Sequence, residues 1–458
     1  MEKGTILLVS CYELGHQPLA LASPLAFLER AGHAAEALDI SVEPLDPARL
    51  VQARLVAISV PMHTALRLGV RVAEQIRRVN PGCHICFYGL YASLNADYLL
   101  EHCGDSVIGG EYESALVTVV EAVKSGRPGP LEGVHVRRHS ARPVLQRLAF
   151  AQPRRGGLPG LKKYAHLDRD GRKELVGYVE ASRGCLHLCL HCPIPPVYGG
   201  RFFVVPADIV LDDIRQLKRE GATHITFGDP DFLNGPGHSL AVVRAMHAEL
   251  PSLTFDFTAK IEHILERAEI FPELRRLGCV FMVSAVESLS PTVLANLEKG
   301  HTREDVARAL GIVREAGIAF RPTWVAFTPW TTLEDYLEMF EFVEAEGLID
   351  HVDPVQFTLR LLVPPGSSLL TRSAITPHLD ALDQAAFMHR WTHPDPRLDM
   401  LQREASRLVE TAGAADPAAT FYGLKALAYA TAGLSEATVP ALAPDRRRPP
   451  RLTEAWFC

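Results

Sequence analysis

The sequence predicts an α/β protein made of an N-terminal doubly wound parallel sheet, a partial (β/α)6 barrel and a helical C-terminal region. Short apolar runs alternate with amphipathic helical stretches over the first 126 residues, and the same alternation returns from Leu175. Between them the chain is rich in Pro, Gly and Arg and loses its periodicity. We therefore expect a sheet domain at 1–126, a linker at 127–172, a barrel at 173–375 and a helical region with a flexible tail at 376–458.

The first domain is predicted from five short strands with helices between them. The strands are Thr5–Ser10, Ala34–Asp39, Leu55–Val60, Ile85–Tyr88 and Ser106–Ile108, and the helices are Leu19–Gly32, Ala65–Val79, Asn95–His102 and Ser114–Lys124. Ligands of such sheets bind beyond the carboxyl ends of the strands. Ser59, Gly89 and Gly110 mark three of those ends.

The barrel is predicted from six strands and five helices at regular spacing. The strands are Val176–Ala181, Thr223–Gly228, Thr254–Thr258, Val280–Ser284, Phe320–Ala326 and Val355–Leu362, and the helices are Asp208–Arg219, Ser239–Glu249, Ile264–Leu277, Thr302–Ala316 and Leu333–Glu346. Loops at the strand ends of a barrel are available for chemistry. The Ala- and Leu-rich chain beyond Thr376 is predicted to be helical.

Composition excludes several classes of protein. The 458 residues are 47% apolar and 22% charged, with 47 Lys plus Arg against 54 Asp plus Glu and a net charge of -7. A mildly acidic balance argues against a large nucleic-acid footprint. No run of about 18 apolar residues predicts a membrane span. Met1–Gly4 leads straight into an apolar strand without a signal sequence, so we expect a cytoplasmic protein.

Three of the nine cysteines lie within eight residues, in the segment Ser182-Arg-Gly-Cys185-Leu-His-Leu-Cys189-Leu-His-Cys192. Iron–sulfur clusters are usually held by four thiolates, so three leave one iron open to a chelating small molecule. A Cys3His zinc site using His187 or His191 is the alternative. Zinc would leave the protein colourless, whereas a cluster would make it brown. The Cys83-His-Ile-Cys86 pair leads into a buried strand and is interpreted as two core thiols.

This C-x3-C-x2-C segment, placed after a first barrel strand, resembles the radical S-adenosylmethionine (SAM) superfamily, and the resemblance extends over residues 1–370. It implies that Cys185, Cys189 and Cys192 hold a [4Fe–4S] cluster and that SAM binds the open iron. It also implies an electron donor such as flavodoxin or ferredoxin, reductive cleavage of SAM, and modification of a small-molecule substrate.

The resemblance also assigns residues that bind SAM. Asp229 or Asp231, in the acidic turn after the second strand, suits the ammonium group, although both residues can equally form the turn and cap the next helix. His191 matches the position that touches the adenine.

Three more SAM contacts come from later strands. Glu287, after the fourth strand, matches a segment near the ribose and methionine, with pairing to a Lys or Arg as the alternative. Lys260 and Arg360 are candidates for the methionine carboxylate, with a rim charge as the alternative.

The N-terminal sheet resembles the cobalamin-binding domain that precedes many radical SAM barrels. Ser59, Gly89 and Gly110 fall where that family approaches the corrin and its nucleotide tail. The lower-ligand motif D-x-H-x-x-G is absent, because the first loop reads Ser10-Cys-Tyr-Glu-Leu-Gly-His16-Gln. We therefore expect a bound cobalt to lack a histidine from this loop. The alternative is a relic domain whose cleft is empty or repurposed.

Three functions follow from these resemblances. With cobalamin, the implied reaction is methyl transfer to an unactivated carbon or phosphorus centre. Without cobalamin, other radical chemistry is open, such as transfer of a 3-amino-3-carboxypropyl group. A non-catalytic cobalamin- or redox-sensing module is the third alternative, although it would not need the acidic turn and Glu287.

The last residues, Ala455-Trp-Phe-Cys458, resemble the start of the tail in radical SAM proteins named for a CUAEP or CCAEP sequence. The resemblance implies that a selenocysteine codon directly after Cys458 was read as a stop. A vicinal Cys–selenocysteine pair binds thiophilic atoms or reduces an intermediate, so Cys458 is a candidate catalytic residue. The alternative is that translation ends here and Cys458 is incidental.

Overall fold

The computed structural model describes residues 4–126, 130–413, 415–435, 446 and 448–454. None of the helices in these ranges combines the length and the apolar character that a membrane crossing requires.

The N-terminal domain is built on a six-stranded sheet. Its strands are β1 Thr5–Ser10, β2 Glu36–Asp39, β3 Ala53–Ser59, β4 His84–Tyr88, β5 Ser106–Ile108 and β6 Val134–Val136, in the order β2-β1-β3-β4-β5-β6. The first five strands are parallel, as predicted, and β6 pairs antiparallel with β5. β6 lies in the segment predicted as a connector, where three residues are too few to show a periodicity.

Helices cover both faces of this sheet. They are α1 Leu19–Arg30, α2 Pro47–Gln52, α3 His63–Val79, α4 Leu90–Leu94, α5 Ala96–His102 and α6 Glu113–Ser125. Leu7 and Val9 of β1 join one apolar cluster with α3, and the alternate residues Ile6 and Leu8 join another with α1 and α6. A strand buried on both faces reads as a continuous apolar run, which is why its sequence predicts it well.

The second domain is a curled, mostly parallel sheet. Its strands are β7 His166–Arg169, β8 Arg172–Val179, β9 Ser182–Gly184, β10 Phe202–Val204, β11 His224–Phe227, β12 Thr254–Thr258, β13 Cys279–Glu287 and β14 Ala319–Trp324. Its helices are α7 Pro195–Tyr198, α8 Ala207–Arg219, α9 Pro236–Glu249, α10 Ile261–Glu266, α11 Phe271–Arg276, α12 Pro291–Leu297, α13 Arg303–Glu315 and α14 Leu333–Ala345.

The C-terminal region contributes to this sheet. Its elements are β15 Leu379–Asp383, β16 Met388–Trp391, α15 Pro396–Ala412, α16 Pro417–Thr431 and β17 Arg451–Leu452. The large sheet has the order β14-β13-β12-β11-β8-β7-β17, and β9 and β10 form a separate antiparallel pair. The prediction of an entirely helical region beyond Thr376 is wrong for β15 and β16, which form a hairpin before the helices begin.

The predicted sixth barrel strand, Val355–Leu362, is also wrong. The chain forms a 3-10 helix at Pro354–Thr358 and keeps only an isolated bridge between Phe327 and Arg360. The side chain of Gln356 accepts the hydrogen bond from the Trp324 amide, 3.0 Å, so a strand carbonyl is not needed there. The predicted helix Ile264–Leu277 is interrupted by a 3-10 turn before α11.

The connector fixes the two domains to each other through a buried arginine. Arg155 is 1% exposed, and its Nε and Nη2 donate to the Asp213 carboxylate at 2.9 and 2.7 Å. Nη2 also donates to the Tyr178 carbonyl of β8, and Nη1 to Oε1 of Gln17 in the first loop of the N-terminal domain. A single side chain therefore sets the position of the first loop against the first parallel barrel strand.

Candidate active site at the junction of the two domains

The cysteine segment follows β9 and lies at the mouth of the barrel. Cys185 and Cys189 are buried and Cys192 is half-buried, all as free thiols. Burial, with a smaller contribution from the sulfurs of Cys189 and Cys185, raises the pKa of the Cys192 thiol to about 12. Thiolates at these positions therefore need a bound metal, whose positive charge favours ionisation.

The spacing of the three thiols favours a cluster over a single zinc ion. Sulfurs bound to one tetrahedral zinc at 2.3 Å lie about 3.8 Å apart. Among the described residues, the three cysteine sulfurs do not form a set of metal-ligand atoms within 4.8 Å of one another. In a cubane each thiolate binds a different iron, so wider spacing is required.

A large cleft separates the N-terminal sheet from the barrel, with about 980 Å³ of space including the part open to solvent. Ser59, Gly89 and Gly110 all line it, as expected for the carboxyl ends of β3, β4 and β5. Gly110 has φ +75°, and a Cβ there would lie 2.2 Å from the carbonyl oxygen of Val144. Only glycine therefore allows this loop to pass so close to its neighbour.

The cleft also contains a buried polar atom that the sequence analysis missed. Glu13 lines the cleft, its buried Oε2 has no hydrogen-bond partner among the described residues, and burial raises the pKa of this carboxyl to about 8. A protonated carboxyl donates and accepts hydrogen bonds, as the amide groups around a corrin ring require. Glu13 and the glycine-lined loops therefore fit cobalamin.

Arg183 joins the cysteine segment to the N-terminal domain. Its Nη1 lies 2.6 Å from Glu113 and 3.4 Å from Glu111, and its Nε donates to Glu180 at 2.9 Å. The side chains of Glu111 and Glu113 are fully buried. This ion cluster sits beside the cleft, which Arg183 and Glu180 both line.

His191 and Glu287 lie close together, and their contact with SAM stays a prediction. Nε2 of His191 lies 3.3 Å from Oε1 of Glu287, and Nζ of Lys299 lies 3.4 Å from the same oxygen. Burial alone would raise the pKa of Glu287, but Lys299 and His191 lower it to about 2. Glu287 is therefore ionised, and the lysine pairing that was its alternative role is present.

Glu287 also has an unusual backbone. Its φ is +64°, and the register between β13 and β14 shifts between Ala285 and Glu287. A non-glycine residue in this region is strained and clusters at functional sites.

Asp229 and Asp231 are both engaged in local structure. Asp229 accepts from the Ala181 amide at 2.9 Å and from the Ser182 hydroxyl at 2.5 Å, and burial raises its pKa to about 7. Asp231 caps a 3-10 turn through the Leu233 amide, 2.9 Å. The turn-forming role is therefore present, and contact with the SAM ammonium stays a prediction.

Of the two candidate cations, only Lys260 lies near the cysteine segment. Its Nζ lies 3.3 Å from Nδ1 of His187. Arg360 instead donates to Asp399 of α15 at 2.6 Å and stacks 3.5 Å above the Trp391 ring. Neither cation lines the cleft or the barrel cavity.

The concave face of the barrel sheet lines a second cavity, with about 840 Å³ of space including the part open to solvent. Charged and polar side chains line part of it: Nη2 of Arg321 donates to Asp353 at 3.0 Å, and Nη1 is buried without a hydrogen-bond partner among the described residues. Oδ1 of Asp256 accepts from His224 at 2.8 Å and from Thr226 at 2.7 Å. The sequence analysis missed these residues, although charges at alternate positions of otherwise apolar strands are a usable signal.

The two cavities share a wall. Leu14, His16, Tyr178 and Gly228 line both of them. His16 stacks on the Tyr178 ring at 4.7 Å, and burial lowers its pKa to about 4, so its ring is neutral.

The C-terminal segment reaches the barrel cavity. β17 pairs with β7, and Leu452 and Glu454 line the cavity. Burial raises the pKa of Glu454 to about 8, with Asp353 and Asp256 adding to the effect. Cys458 lies outside the described residues.

Comparisons with known proteins agree with this architecture. Residues 5–120 match the model of the B12 binding domain, and residues 179–343 match that of the radical SAM superfamily. An uncharacterized methyltransferase of Pyrococcus horikoshii is 23% identical over 365 residues, 76% of each chain. The hopanoid C-3 methylase of Methylococcus capsulatus is 24% identical over 324 residues, 67% of this chain and 62% of the methylase.

A solved structure has the same fold. The radical SAM methyltransferase TsrM from Kitasatospora setae, with tryptophan and a SAM analogue bound, superposes with a TM-score of 0.68 at 19% identity, over 92% of this chain and 88% of TsrM. The two domain matches, the cysteine segment and the glycine-lined cleft lead to one conclusion: the chain joins an N-terminal B12-binding domain to a radical SAM domain.

Proposed function

We propose that the protein is a cobalamin-dependent radical SAM methyltransferase and that its small-molecule substrate binds in the barrel cavity. The observation that carries the proposal is the shared wall, because it places the barrel cavity directly against the cleft that fits cobalamin. Relatives named as methyltransferases or methylases support the reaction class. When bound, the cluster supplies the electron that cleaves SAM, and cobalamin supplies a carrier for the methyl group.

The protein's own residues bind and orient these groups. Cys185, Cys189 and Cys192 bind the cluster. Glu13 and the backbone around Gly110 would hold cobalamin in the cleft. The remaining assignments are those of the sequence analysis: Ser59 and Gly89 toward cobalamin, and His191, Asp229, Lys260 and Glu287 toward SAM. Of the two aspartates in the acidic turn we assign Asp229 to the ammonium group. Arg360 is left out because it pairs with Asp399, away from the cysteine segment.

The barrel cavity indicates what kind of substrate it binds. Among the described residues, Nη1 of Arg321 is a buried donor without a hydrogen-bond partner, and an unmade hydrogen bond of this kind is costly. A carboxylate or another oxygen-rich anionic group on the substrate would satisfy it. Arg321→Met should therefore weaken substrate binding more than it weakens reductive cleavage of SAM without substrate.

Anaerobic reconstitution tests the reaction. Wild type with cobalamin and a low-potential reductant should form S-adenosylhomocysteine, and 5′-deoxyadenosine if a hydrogen atom is abstracted. Cys185→Ala, Cys189→Ala and Cys192→Ala should each lose the absorbance near 400 nm and all SAM cleavage, whereas Cys86→Ala, in the sheet core, should keep both. An intact cluster that yields neither product would contradict the proposal. Methylthioadenosine would indicate carboxypropyl transfer instead.

The proposal includes a cytoplasmic location, where flavodoxin or ferredoxin supplies electrons. It also includes membership of the CUAEP/CCAEP-tail group, supported by the course of residues 451–454, which brings the chain to the barrel cavity. A catalytic role of Cys458 belongs to this part of the proposal. The coding DNA tests it: a UGA codon directly after Cys458, followed in frame by Ala-Glu-Pro, is expected, and any other continuation would contradict the tail assignment.

A further inference from the structure

Two histidines and an aspartate converge beside the cysteine segment. His187 lies between Cys185 and Cys189, Asp231 follows β11, and His263 lies in α10. Nδ1 of His263 lies 2.9 Å from Oδ2 of Asp231, and Nε2 of His187 lies 3.4 Å from the same oxygen. Each of the three residues offers one ligand atom, and these atoms lie within 4.8 Å of one another.

The three side chains are largely buried but leave access for a water molecule. The Asp231 side chain is fully buried, and the His187 and His263 side chains are 18% and 14% exposed. Nε2 of His187 is buried and lies 3.4 Å from Oδ2 of Asp231, and within the described part of the chain it makes no well-formed hydrogen bond. An unsatisfied imidazole nitrogen aimed at a carboxylate oxygen is an available metal-ligand position.

The carboxylate is held in a fixed orientation. Oδ1 of Asp231 accepts from the Leu233 amide at 2.9 Å, and Oδ2 accepts from the Lys260 amide at 3.1 Å. Such hydrogen bonds behind a ligand are typical of metal sites, because they orient the ligand before the ion binds.

A second carboxylate lies near Nδ1, the other ring nitrogen of His187. Oε2 of Glu262 lies 3.6 Å from Nδ1 of His187, and Nζ of Lys260 lies 2.6 Å from the same oxygen. A histidine that binds a metal through Nε2 carries its proton on Nδ1, and that proton is usually donated to a carboxylate. Metal binding would therefore move the Nδ1 partner of His187 from Lys260 to Glu262.

We propose that His187, Asp231 and His263 bind a zinc ion, separate from the iron–sulfur cluster, that fastens the cysteine segment to α10. Ligand atoms at 2.0–2.1 Å from a tetrahedral ion lie about 3.3 Å apart, close to the 2.9 and 3.4 Å found here. Two imidazoles and one carboxylate form a known zinc ligand set, with the fourth position taken by water. This site goes beyond the proposed methyl transfer and does not depend on it.

Metal analysis of the reconstituted holoenzyme tests the site. The protein with its cluster is equilibrated anaerobically with ZnSO4 and freed of loose ion on a desalting column. Iron and zinc are then counted by mass spectrometry, and the zinc environment is read by X-ray absorption. We expect about one zinc beside about four irons per chain, with nitrogen and oxygen neighbours near 2.0 Å and no sulfur near 2.3 Å.

Variants identify the ligands. His263→Ala should lower the zinc content at least tenfold and leave the iron content unchanged, whereas the matched control His247→Ala, on α9, should keep both. If His263→Ala loses iron as well, Asp231→Asn decides in its place, because it keeps the shape of the side chain and removes the charge.

Three results would overturn the site. Wild type that retains less than about a tenth of a zinc per chain would do so, and so would sulfur neighbours around the zinc, which would mean that the ion has taken the cysteines. Full zinc content in a folded His263→Ala or Asp231→Asn protein would also refute this ligand set.

Discussion

Replacing Arg183 by methionine should uncouple the N-terminal domain from the barrel. Methionine keeps the length and most of the apolar stem of arginine but removes the cation that holds three glutamates. Because Glu111 and Glu113 belong to the N-terminal domain and Arg183 to the cysteine segment, the change removes a contact between domains.

The expected loss of stability is large because the buried glutamates remain without their cation. Removing one partner from a buried ion pair costs about 3–5 kcal/mol, since the remaining charge is left without compensation. The side chains of Glu111 and Glu113 are fully buried, and that of Arg183 is 11% exposed. The guanidinium also lies 5.4 Å from the Phe150 ring centre, a further contact that methionine replaces in part.

The loss of stability should be larger at high pH than at low pH. Burial already raises the pKa of Glu111 to about 7 with the arginine present. Without the arginine, Glu111 is expected to bind its proton more tightly still, so the folded variant is penalised as pH rises and relieved as pH falls. Urea unfolding should show a larger deficit at pH 8 than at pH 5.5.

Two optical probes separate the domains. All four tryptophans lie beyond residue 320, so tryptophan fluorescence reports on the barrel and C-terminal region, and far-ultraviolet circular dichroism reports on the whole chain. In the variant the two unfolding curves should separate. Arg215→Met, at an exposed ion pair with Glu249, should behave like wild type. An Arg183→Met protein with wild-type curves at both pH values would refute the reasoning.

Three further outcomes are expected. Glu13→Gln should become more stable than the cobalamin-free wild type as pH rises from 4.5 to 8, by at most about 5 kcal/mol. The reason is that the raised pKa of Glu13, about 8, destabilises the folded wild type across that range. Equal pH profiles in urea unfolding would contradict this. Gly110→Ala should abolish cobalamin binding measured by absorbance titration, whereas Gly32→Ala, at the similar φ of +79° with open space around it, should cost only about 1 kcal/mol and bind normally. His16→Ala should leave the spectrum of bound cobalamin unchanged, and loss of a histidine-ligated signal would show that this ring binds cobalt.

Local sequence was enough to predict those strands of the fold whose carboxyl ends are marked by a recognisable residue. Ser59, Gly89 and Gly110 were predicted to lie together because parallel strands bring their carboxyl ends to one edge. They do line one cleft. The cysteine segment was equally visible, since its three ligands are close in sequence.

Contacts between distant residues could not be predicted in this way. Arg155 lies in a segment without periodicity, yet it is 1% exposed and bonds to residues from 17 to 213. The prediction of a sixth barrel strand was wrong because the side chain of Gln356, in place of a strand carbonyl, accepts the hydrogen bond from the Trp324 amide. Nothing near His263 in the sequence shows that its partner is a histidine 76 positions earlier.

The wall of Leu14, His16, Tyr178 and Gly228 has a thermodynamic consequence. A ligand that binds in the cleft and fixes the positions of these four residues also changes the shape of the barrel cavity. Binding in the cleft and binding in the barrel cavity are therefore linked equilibria. Linkage is reciprocal: if cobalamin tightens substrate binding by some factor, substrate tightens cobalamin binding by the same factor. The resting enzyme would then retain its cofactor least firmly when substrate is scarce, and the concentration of substrate would set the fraction of the enzyme that is loaded.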